Sequence, residues 1–541
     1  MKNITLILLL LLSQVISAQT FKTKEERMEW WKQSRFGMFI HWGPVSLKGT
    51  EIGWSRGSQI PIEEYDNLYK QFNPQNFDAD LWVSIAKAAG MKYIVLTTKH
   101  HDGFCLWNTK QTDHNIMNSP FKRDVVDELS KACKKQGIAF GAYYSTCDWY
   151  NPDFPLTSPG GSVVREKSDL EAYTKYLKRE VAELLLNYSP LATLWFDVPQ
   201  RFDSIRGQGI IDFVHILQPD IIINSRTGAK GDYDTPEQRV GKLQMDRPWE
   251  TCMTICNQWA WKPNDQLKTL KECLHTLILS AAGDGNLLFN VGPTPDGVIE
   301  ERQVVRLKQM GDWLKTNGES IYGTRGGPFL PGRSMASTRK DNMIYLHVFK
   351  LKNNEITLPA LPVKIISAEL MSGTKVNLKQ STDKFTLTVP VALQDSISTI
   401  IKLVIDKPAI DIPIIDPLDD YLATASNSKP WNSPSMLVDK STDHLSAWRT
   451  NDDIRQAWVE IDLRKLRKFD QVIINEINGE QIKKFTVEYK KDNQWIQIYK
   501  GDKIGSKLIC KFKAIKSQYI RLNILDSSKA PALSEIDIHE L

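Results

Sequence analysis

Five short apolar runs in the first half of the chain each end on polar side chains with chemical uses. They close as Phe39-Ile40-His41-Trp42-Gly43, Thr98-Lys99-His100-His101-Asp102, Tyr143-Tyr144-Ser145, Leu194-Trp195-Phe196-Asp197 and Ile223-Asn224-Ser225-Arg226. Amphipathic, helix-like stretches lie among them at 79–89, 125–136, 170–187 and 209–217, with later ones at 265–282 and 300–317. Strands alternating with helices imply parallel βαβ units. Reactive side chains at the carboxyl ends of successive strands are the arrangement of a (β/α)8 barrel. The chain is therefore read as α/β, with a (β/α)8-like (TIM) barrel over 19–330. A doubly wound open sheet is the competing architecture, but it would carry a Gly-rich phosphate loop after an early strand, and none is present.

Beyond residue 330 helical periodicity stops. Short alternating runs predict a small β-sandwich over 331–406. The proline-bearing stretch 407–418 reads as an extended linker. Strand-rich sequence resumes over 419–541. At the other end, Lys2, the apolar run 6–12 and small residues before Gln19 read as a signal peptide over 1–18. That run is too short for a span of about 20 residues, and no later segment suits one. The expected location is periplasmic or extracellular, without a membrane span. A net charge of +5 on 541 residues, with no basic block, argues against nucleic acid as partner. The seven cysteines show no CxxC pair and are expected to be mostly buried thiols.

The fourth run is the most informative. Side chains alternate along a strand, so Trp195 and Asp197 share one face and Leu194 and Phe196 the other. An indole beside a carboxylate at a barrel mouth suits a sugar ring. Asp is also a common helix N-cap, and that reading stays open for Asp197. A glycosidase needs a second carboxyl group. Glu250 lies near Trp249, Trp259 and Trp261, and aromatic surroundings raise a carboxyl pKa as a general acid requires. A surface ion pair with Arg247 is the plain alternative, and Asp246 the neighbouring competitor. His41, His100 and His101 could be metal ligands, but the first run lacks the HxH pair of metal-dependent barrels. Hydrogen bonding to sugar hydroxyls explains them better.

The segments FGMFIHWG (36–43), TTKHHDGF (97–104), LWFD (194–197), INSR (223–226), PWETCMTICNQWAW (248–261) and GDGNLLFNVGPTPDG (283–297) resemble glycoside hydrolase family 29, the α-L-fucosidases. The resemblance implies a retaining exo-α-L-fucosidase acting on fucosylated glycans. Asp197 resembles the nucleophile and Glu250 the acid/base, with carboxyl groups about 5–5.5 Å apart. His41, Trp54, His100, His101, Tyr143, Tyr144, Trp195 and Arg226 resemble residues that hold the sugar, and Phe39 is placed to line a subpocket for the C5 methyl. No cofactor is required, and no metal is expected in the catalytic domain. Where many members carry Glu-Trp-Tyr after HWG, this chain has Glu51-Ile52-Gly53-Trp54. The C-terminal pattern, including Asp439, Trp448, Trp458, Trp495, Tyr519-Ile520-Arg521-Leu522 and Ser534-Glu535-Ile536, resembles a coagulation factor 5/8 type C (discoidin-like) jelly roll. Such domains often bind sugars, and some hold structural Ca2+. The alternative functions are a non-catalytic fucose-binding protein and a glycosidase for a related sugar such as α-L-galactose.

Overall fold

The computed structural model describes residues 23–541 apart from 158–163, 189, 241, 418–419, 431, 441, 443, 445, 478 and 480. The signal-peptide reading of 1–18 lies outside the described residues. Seven parallel strands form the first sheet: β1 (Phe36–Ile40), β2 (Tyr93–Lys99), β3 (Ala139–Ser145), β4 (Thr193–Asp197), β5 (Ile222–Ile223), β6 (Glu250–Thr254) and β7 (Asn286–Val291). Their order is β5-β4-β3-β2-β1-β7-β6. Extended chain at 233–238 spans the gap between β5 and β6. It makes parallel bridges Asn224–Tyr233, Asp234–Trp249 and Glu237–Cys252. The sheet thereby closes into a barrel whose eighth stave is this segment.

The larger helices are α1 (Lys24–Ser34), α2 (Ile62–Asn67), α3 (Ala79–Ala88), α4 (Val125–Gln136), α5 (Leu170–Asn187), α6 (Ser204–Leu217), α7 (Leu270–Ala282) and α8 (Glu301–Asn317). Their starts are written in the sequence. Asp78, Asp124, Asp169 and Asp203 each accept a first-turn N–H. Thr269 and Glu272 form a reciprocal capping box on α7. The strand alternation sorts apolar side chains into two cores. Ile40, Leu96, Leu194 and Phe196 pack outward under the helices. Phe39, Tyr93, Tyr143, Trp195 and Tyr233 fill the barrel interior. Each such large side chain contributes about 1.5–3 kcal/mol on full burial.

The sandwich follows. One sheet contains β8 (Arg325–Gly326), β9 (Met335–Lys340), β10 (Met343–Val348), β12 (Ile365–Leu370) and β15 (Thr399–Ile405). The other contains β11 (Glu355–Pro359), β13 (Asn377–Gln380) and β14 (Lys384–Thr388). The proline-bearing stretch is packed rather than a free tether. Arg339 donates to the carbonyls of Ala409 and Ile412, and Ile415 bridges to Phe329.

The C-terminal domain is an antiparallel sheet of β16 (Leu422–Ala425), β17 (Trp448–Arg449), β18 (Ala457–Glu476), β19 (Ile482–Lys491), β20 (Gln494–Gly501), β21 (Leu508–Ser527) and β22 (Ala532–Glu540). Register shifts break the pairing of the two long strands, β18 and β21. Such irregularities bend a strand and let it serve both faces of a jelly roll. Lys440 Nζ donates to the Gly332 carbonyl at 3.0 Å, and Arg333 pairs with Asp537, so this domain is tied to the sandwich. All seven cysteines are free and buried. Among the described residues, no helix is long and apolar enough to cross a membrane.

Candidate active site

Asp197 is the last residue of β4, level with Ser145 at the end of β3. Its Oδ1 accepts from Arg226 Nη1 at 2.9 Å and its Oδ2 from the Tyr143 hydroxyl at 2.9 Å. Burial pushes its pKa up, but the Arg226 charge and these hydrogen bonds outweigh that and hold the carboxyl below its ordinary range. It is thus an ionised, oriented oxygen pair at a barrel mouth. The residue that follows, Val198, adopts φ 45°, a left-handed conformation that a β-branched residue rarely takes. Thr146 Oγ1 donates to the carbonyls of both Asp197 and Val198 at 2.7 Å and fixes that turn. The helix-cap reading of Asp197 is replaced: the cap of α6 is Asp203.

A second carboxylate converges on the same place, and the sequence reading missed it. In the closing stave Tyr233, Thr235 and Glu237 alternate with Asp234 and Pro236. Tyr233 lies in the interior core, Thr235 Oγ1 accepts from Arg226 Nε at 2.9 Å, and Glu237 Oε2 accepts from Arg226 Nη1 at 2.8 Å. Asp234, on the other face, pairs with Arg247. Asp197 and Glu237 therefore hang from one guanidinium nitrogen. Their bonded oxygens cannot lie more than about 6 Å apart, which admits the separation of a retaining carboxyl pair. The Glu237 side chain is 30% exposed against 13% for Asp197, so it is the more solvent-accessible of the two. The available signal was the aromatic–hydroxyl–carboxylate alternation after the turn at 228–231.

Glu250 is elsewhere, and its assignment as acid/base is corrected. It is the first residue of β6, level with Asn286, the first of β7, so it lies at the amino end of the barrel. It is fully buried, and its carboxyl oxygen accepts from the Tyr93 hydroxyl at the start of β2. The indoles of Trp31 and Trp195 face its other oxygen without closing to a hydrogen bond. Burial, opposed by those neighbours, pushes its pKa up to about 8. The aromatic environment inferred from sequence is real, but it is the barrel floor. Asp246 is exposed.

Tyr144 is the second correction. Neighbouring residues of a strand face opposite ways, so with Tyr143 inside, Tyr144 points to the helices. It is fully buried there and donates to Glu180 on α5 at 2.6 Å, beside Lys99.

The remaining residues read from the sequence as holding the sugar gather around Asp197. His100 stacks on Tyr143 at 5.4 Å, and His41 lies 5.6 Å from His100. His101 Nε2 is 3.8 Å from Asp197 Oδ2, and its Nδ1 meets Ser145 Oγ at 2.7 Å. Trp195 stacks on Tyr143 at 5.5 Å, with the Arg226 guanidinium 5.0 Å from its ring. Trp54, 40% exposed, sits edge-on over His101 at the rim. Phe39 lies 4.5 Å from His41 and 5.3 Å from Trp195. Burial pushes His41 down to about 3 and His101 to about 4, and His100 also well down. Each is then neutral at neutral pH, with one donor and one acceptor nitrogen for a hydroxyl-rich ligand. Ligand atoms of His100, His101 and Asp197 come within 4.8 Å of one another, but Asp197 is already bound to Arg226 and Tyr143.

Comparison with known proteins finds the same chemistry named elsewhere. The family model "Alpha-L-fucosidase" matches residues 13–319, and "F5/8 type C domain" matches 422–536. The plasma alpha-L-fucosidase of Homo sapiens is 35% identical over 54% of this chain and 69% of its own. The structure of alpha-L-fucosidase isoenzyme 1 from Paenibacillus thiaminolyticus superposes with TM-score 0.66 at 32% identity, covering 71% of this chain and all of that one. An alpha-L-fucosidase from Bacteroides thetaiotaomicron, trapped as a covalent intermediate with 2-fluoro-fucosyl fluoride, superposes with TM-score 0.64 at 26% identity over 72% of this chain and 99% of that one.

Proposed function

The chain belongs to the alpha-L-fucosidase family, and from that premise we propose that it is a retaining exo-α-L-fucosidase releasing terminal α-L-fucosyl residues from fucosylated glycans. The observation that carries the mechanism is the sharing of Arg226 Nη1 by Asp197 and Glu237. Asp197, held ionised, attacks the anomeric carbon. The C1–O bond to the aglycone breaks as Glu237 gives its proton to the leaving oxygen, and a β-linked fucosyl ester forms on Asp197. Glu237 then takes a proton from water, which attacks C1 and releases α-L-fucose. Both events use one carboxyl group in opposite directions, so it must meet aglycone and water in turn, as the more exposed Glu237 does. The neutral histidines and Trp195 bind the ring, and Phe39 offers the apolar surface that a methyl group wants. The covalent intermediate of the Bacteroides relative supports the double displacement.

The test is azide rescue. Asp197→Ala should lose nearly all activity on an aryl α-L-fucoside and regain part of it with azide, giving the β-fucosyl azide. Glu237→Ala should give the α-azide, because the ester still forms. Substantial residual activity in Asp197→Ala, or the same azide anomer from both variants, would overturn the roles. Assaying 4-nitrophenyl α-L-fucoside beside the α-L-galactoside separates fucose from its C6-hydroxylated analogue. Equal rates would remove Phe39 from the specificity account.

The C-terminal domain supplies a chemically suitable place for Ca2+. Glu535 is buried, its Oε1 has no partner among the described residues, and its Oε2 accepts from the Lys440 N–H at 3.0 Å. Burial and the nearby Asp439 charge drive its pKa well up. A buried carboxyl group with an idle oxygen, beside the exposed Asp439 carboxylate, fits a hard, oxygen-seeking cation, which would neutralise the pair. Ca2+ should raise the thermal midpoint and a chelator lower it, with Glu535→Gln insensitive to both. A midpoint of the wild type indifferent to Ca2+ refutes the site. We further infer export through the N-terminal leader to a periplasmic or extracellular location. Finding the intact N-terminus on the cell-associated protein would refute this.

A further inference from the structure

Glu51 stands on the loop after β1 and does not face Asp197. Its carboxylate instead grips the loop that follows β6. Oε2 accepts from the Trp259 N–H at 3.0 Å, and Oε1 from the Ala260 N–H at 3.1 Å and the Ile52 N–H at 3.2 Å. The two preceding amides are taken by another carboxylate: Asp265 Oδ2 accepts from Asn257 and Gln258, both at 2.9 Å. Four consecutive N–H groups thus point at carboxylates, Asp265 being within the loop and Glu51 from outside it. Gly292, just past β7, lets the loop seat, because a Cβ there would lie 2.5 Å from the Trp261 nitrogen.

The consequence reaches the pocket through Asn290 on β7. Asn290 Nδ2 donates to the Trp259 carbonyl at 2.7 Å, which fixes which end of that amide is oxygen. Its Oδ1 lies 2.6 Å from His41 Nδ1. An acceptor oxygen there requires the proton on Nδ1, and neutral His41 then presents a bare Nε2, an acceptor. The Trp259 ring also packs on His41 at 4.8 Å.

We propose that Glu51 is a positioning residue for glycone binding: by holding the Trp259–Ala260 backbone it orients Asn290 and so sets the tautomer in which His41 accepts a sugar hydroxyl. The proposal rests on the reading of this pocket as a fucose site. The nucleophile and Glu237 are held by Tyr143, Thr235 and Arg226, which the clamp does not touch, so its loss weakens binding rather than chemistry.

The test compares wild type, Glu51→Gln and Glu51→Asp at pH 8, since burial pushes the Glu51 carboxyl up to about 7 and it is ionised there. Gln keeps one acceptor and turns an N–H₂ towards a backbone N–H. With 4-nitrophenyl α-L-fucoside, Glu51→Gln should raise KM and the inhibition constant of L-fucose at least about tenfold, as loss of a charge-assisted hydrogen bond implies. Its kcat should stay within about threefold. Hydrogen exchange at the amides of 259 and 260 should quicken, with those of 257 and 258 less affected. Glu51→Asp, charged but one methylene short, should fall between, and it carries the comparison if the Gln variant does not fold. Unchanged exchange, or a fall in kcat at constant KM, overturns the proposal. If the wild type neither binds L-fucose nor turns over the fucoside while exchange still quickens in Glu51→Gln, the clamp stands and the fucose reading fails.

Discussion

Replacing Glu250 by glutamine should leave turnover within about tenfold of wild type, because a general acid removed costs about 100-fold or more and the proposed mechanism gives that role to Glu237. It should change instead how stability depends on pH. In the fold the carboxyl titrates near about 8, against an ordinary value of 4.5. It binds its proton more tightly when folded than when unfolded. Its contribution to stability is therefore complete below about pH 4.5 and is lost as pH rises towards about 8. The difference amounts to about 5 kcal/mol. Glutamine cannot titrate, yet its amide can donate to the Tyr93 oxygen while its carbonyl faces the indoles. The gap between variant and wild type should thus move in the variant's favour by up to about 5 kcal/mol between pH 4.5 and 8.5. At about 2 °C per kcal/mol for a large domain, that is about 10 °C in the thermal midpoint. Differential scanning calorimetry of both proteins across that range reads it directly. Parallel midpoint curves would refute the buried-acid account. A thousandfold loss of kcat in a folded Glu250→Gln protein would refute the placement of the acid/base on Glu237.

Three further outcomes follow from the same geometry. Glu237→Gln should lower kcat/KM about 100- to 10,000-fold on fucosides with poor leaving groups, and far less on activated aryl fucosides; equal losses on both would argue against acid catalysis. Arg226→Lys cannot hold Asp197, Glu237 and Thr235 together from one planar fork, and should lower kcat at least about tenfold without shifting the thermal midpoint by more than a few degrees. A thiol reagent should titrate none of the seven cysteines in the native protein and all seven after denaturation, since every one is free and buried; a native disulfide on a non-reducing gel would contradict this.

The fold was legible where periodicity was strong. α4 and α5 fall on the stretches read as helices, because their apolar residues recur on one face and an Asp caps each. α1 left no such trace: it is largely polar, and its start is set by Thr23. α6 begins at Ser204, five residues before the reading, because Gly207 and Gly209 weaken the helical pattern. Gly207 is required by packing, as a Cβ there would lie 2.7 Å from the Thr227 carbonyl oxygen and the Ala229 nitrogen. β6 and the closing stave escaped because neither is a β-branched run. Their extended form comes from neighbours on both sides, which a single sequence does not display.

The site was legible to the same depth. Alternation along β4 placed Asp197 and Trp195 on one face, and that is a local property of five residues. Alternation also separates Tyr143 from Tyr144, but only once it is known which face is inside, and Tyr143 declares that through Asp197. Glu250 and Glu237 differ by something no local pattern contains, namely height along the barrel axis. Tryptophan neighbours report that a carboxyl group is desolvated, and they report it equally for a proton donor at the mouth and for an acid sealed under the floor. The register decides between them. Glu250 pairs with the first residue of β7, whereas Glu237 pairs with Cys252, two residues further along β6, and reaches Arg226 beyond the end of β5. Two strand residues are about 7 Å of rise, enough to carry a carboxyl group from beneath the Trp195 indole towards the pocket above it. A raised pKa in an aromatic setting is therefore evidence of burial, and it becomes evidence of catalysis only when the same group also has a path to solvent and a partner carboxylate within reach.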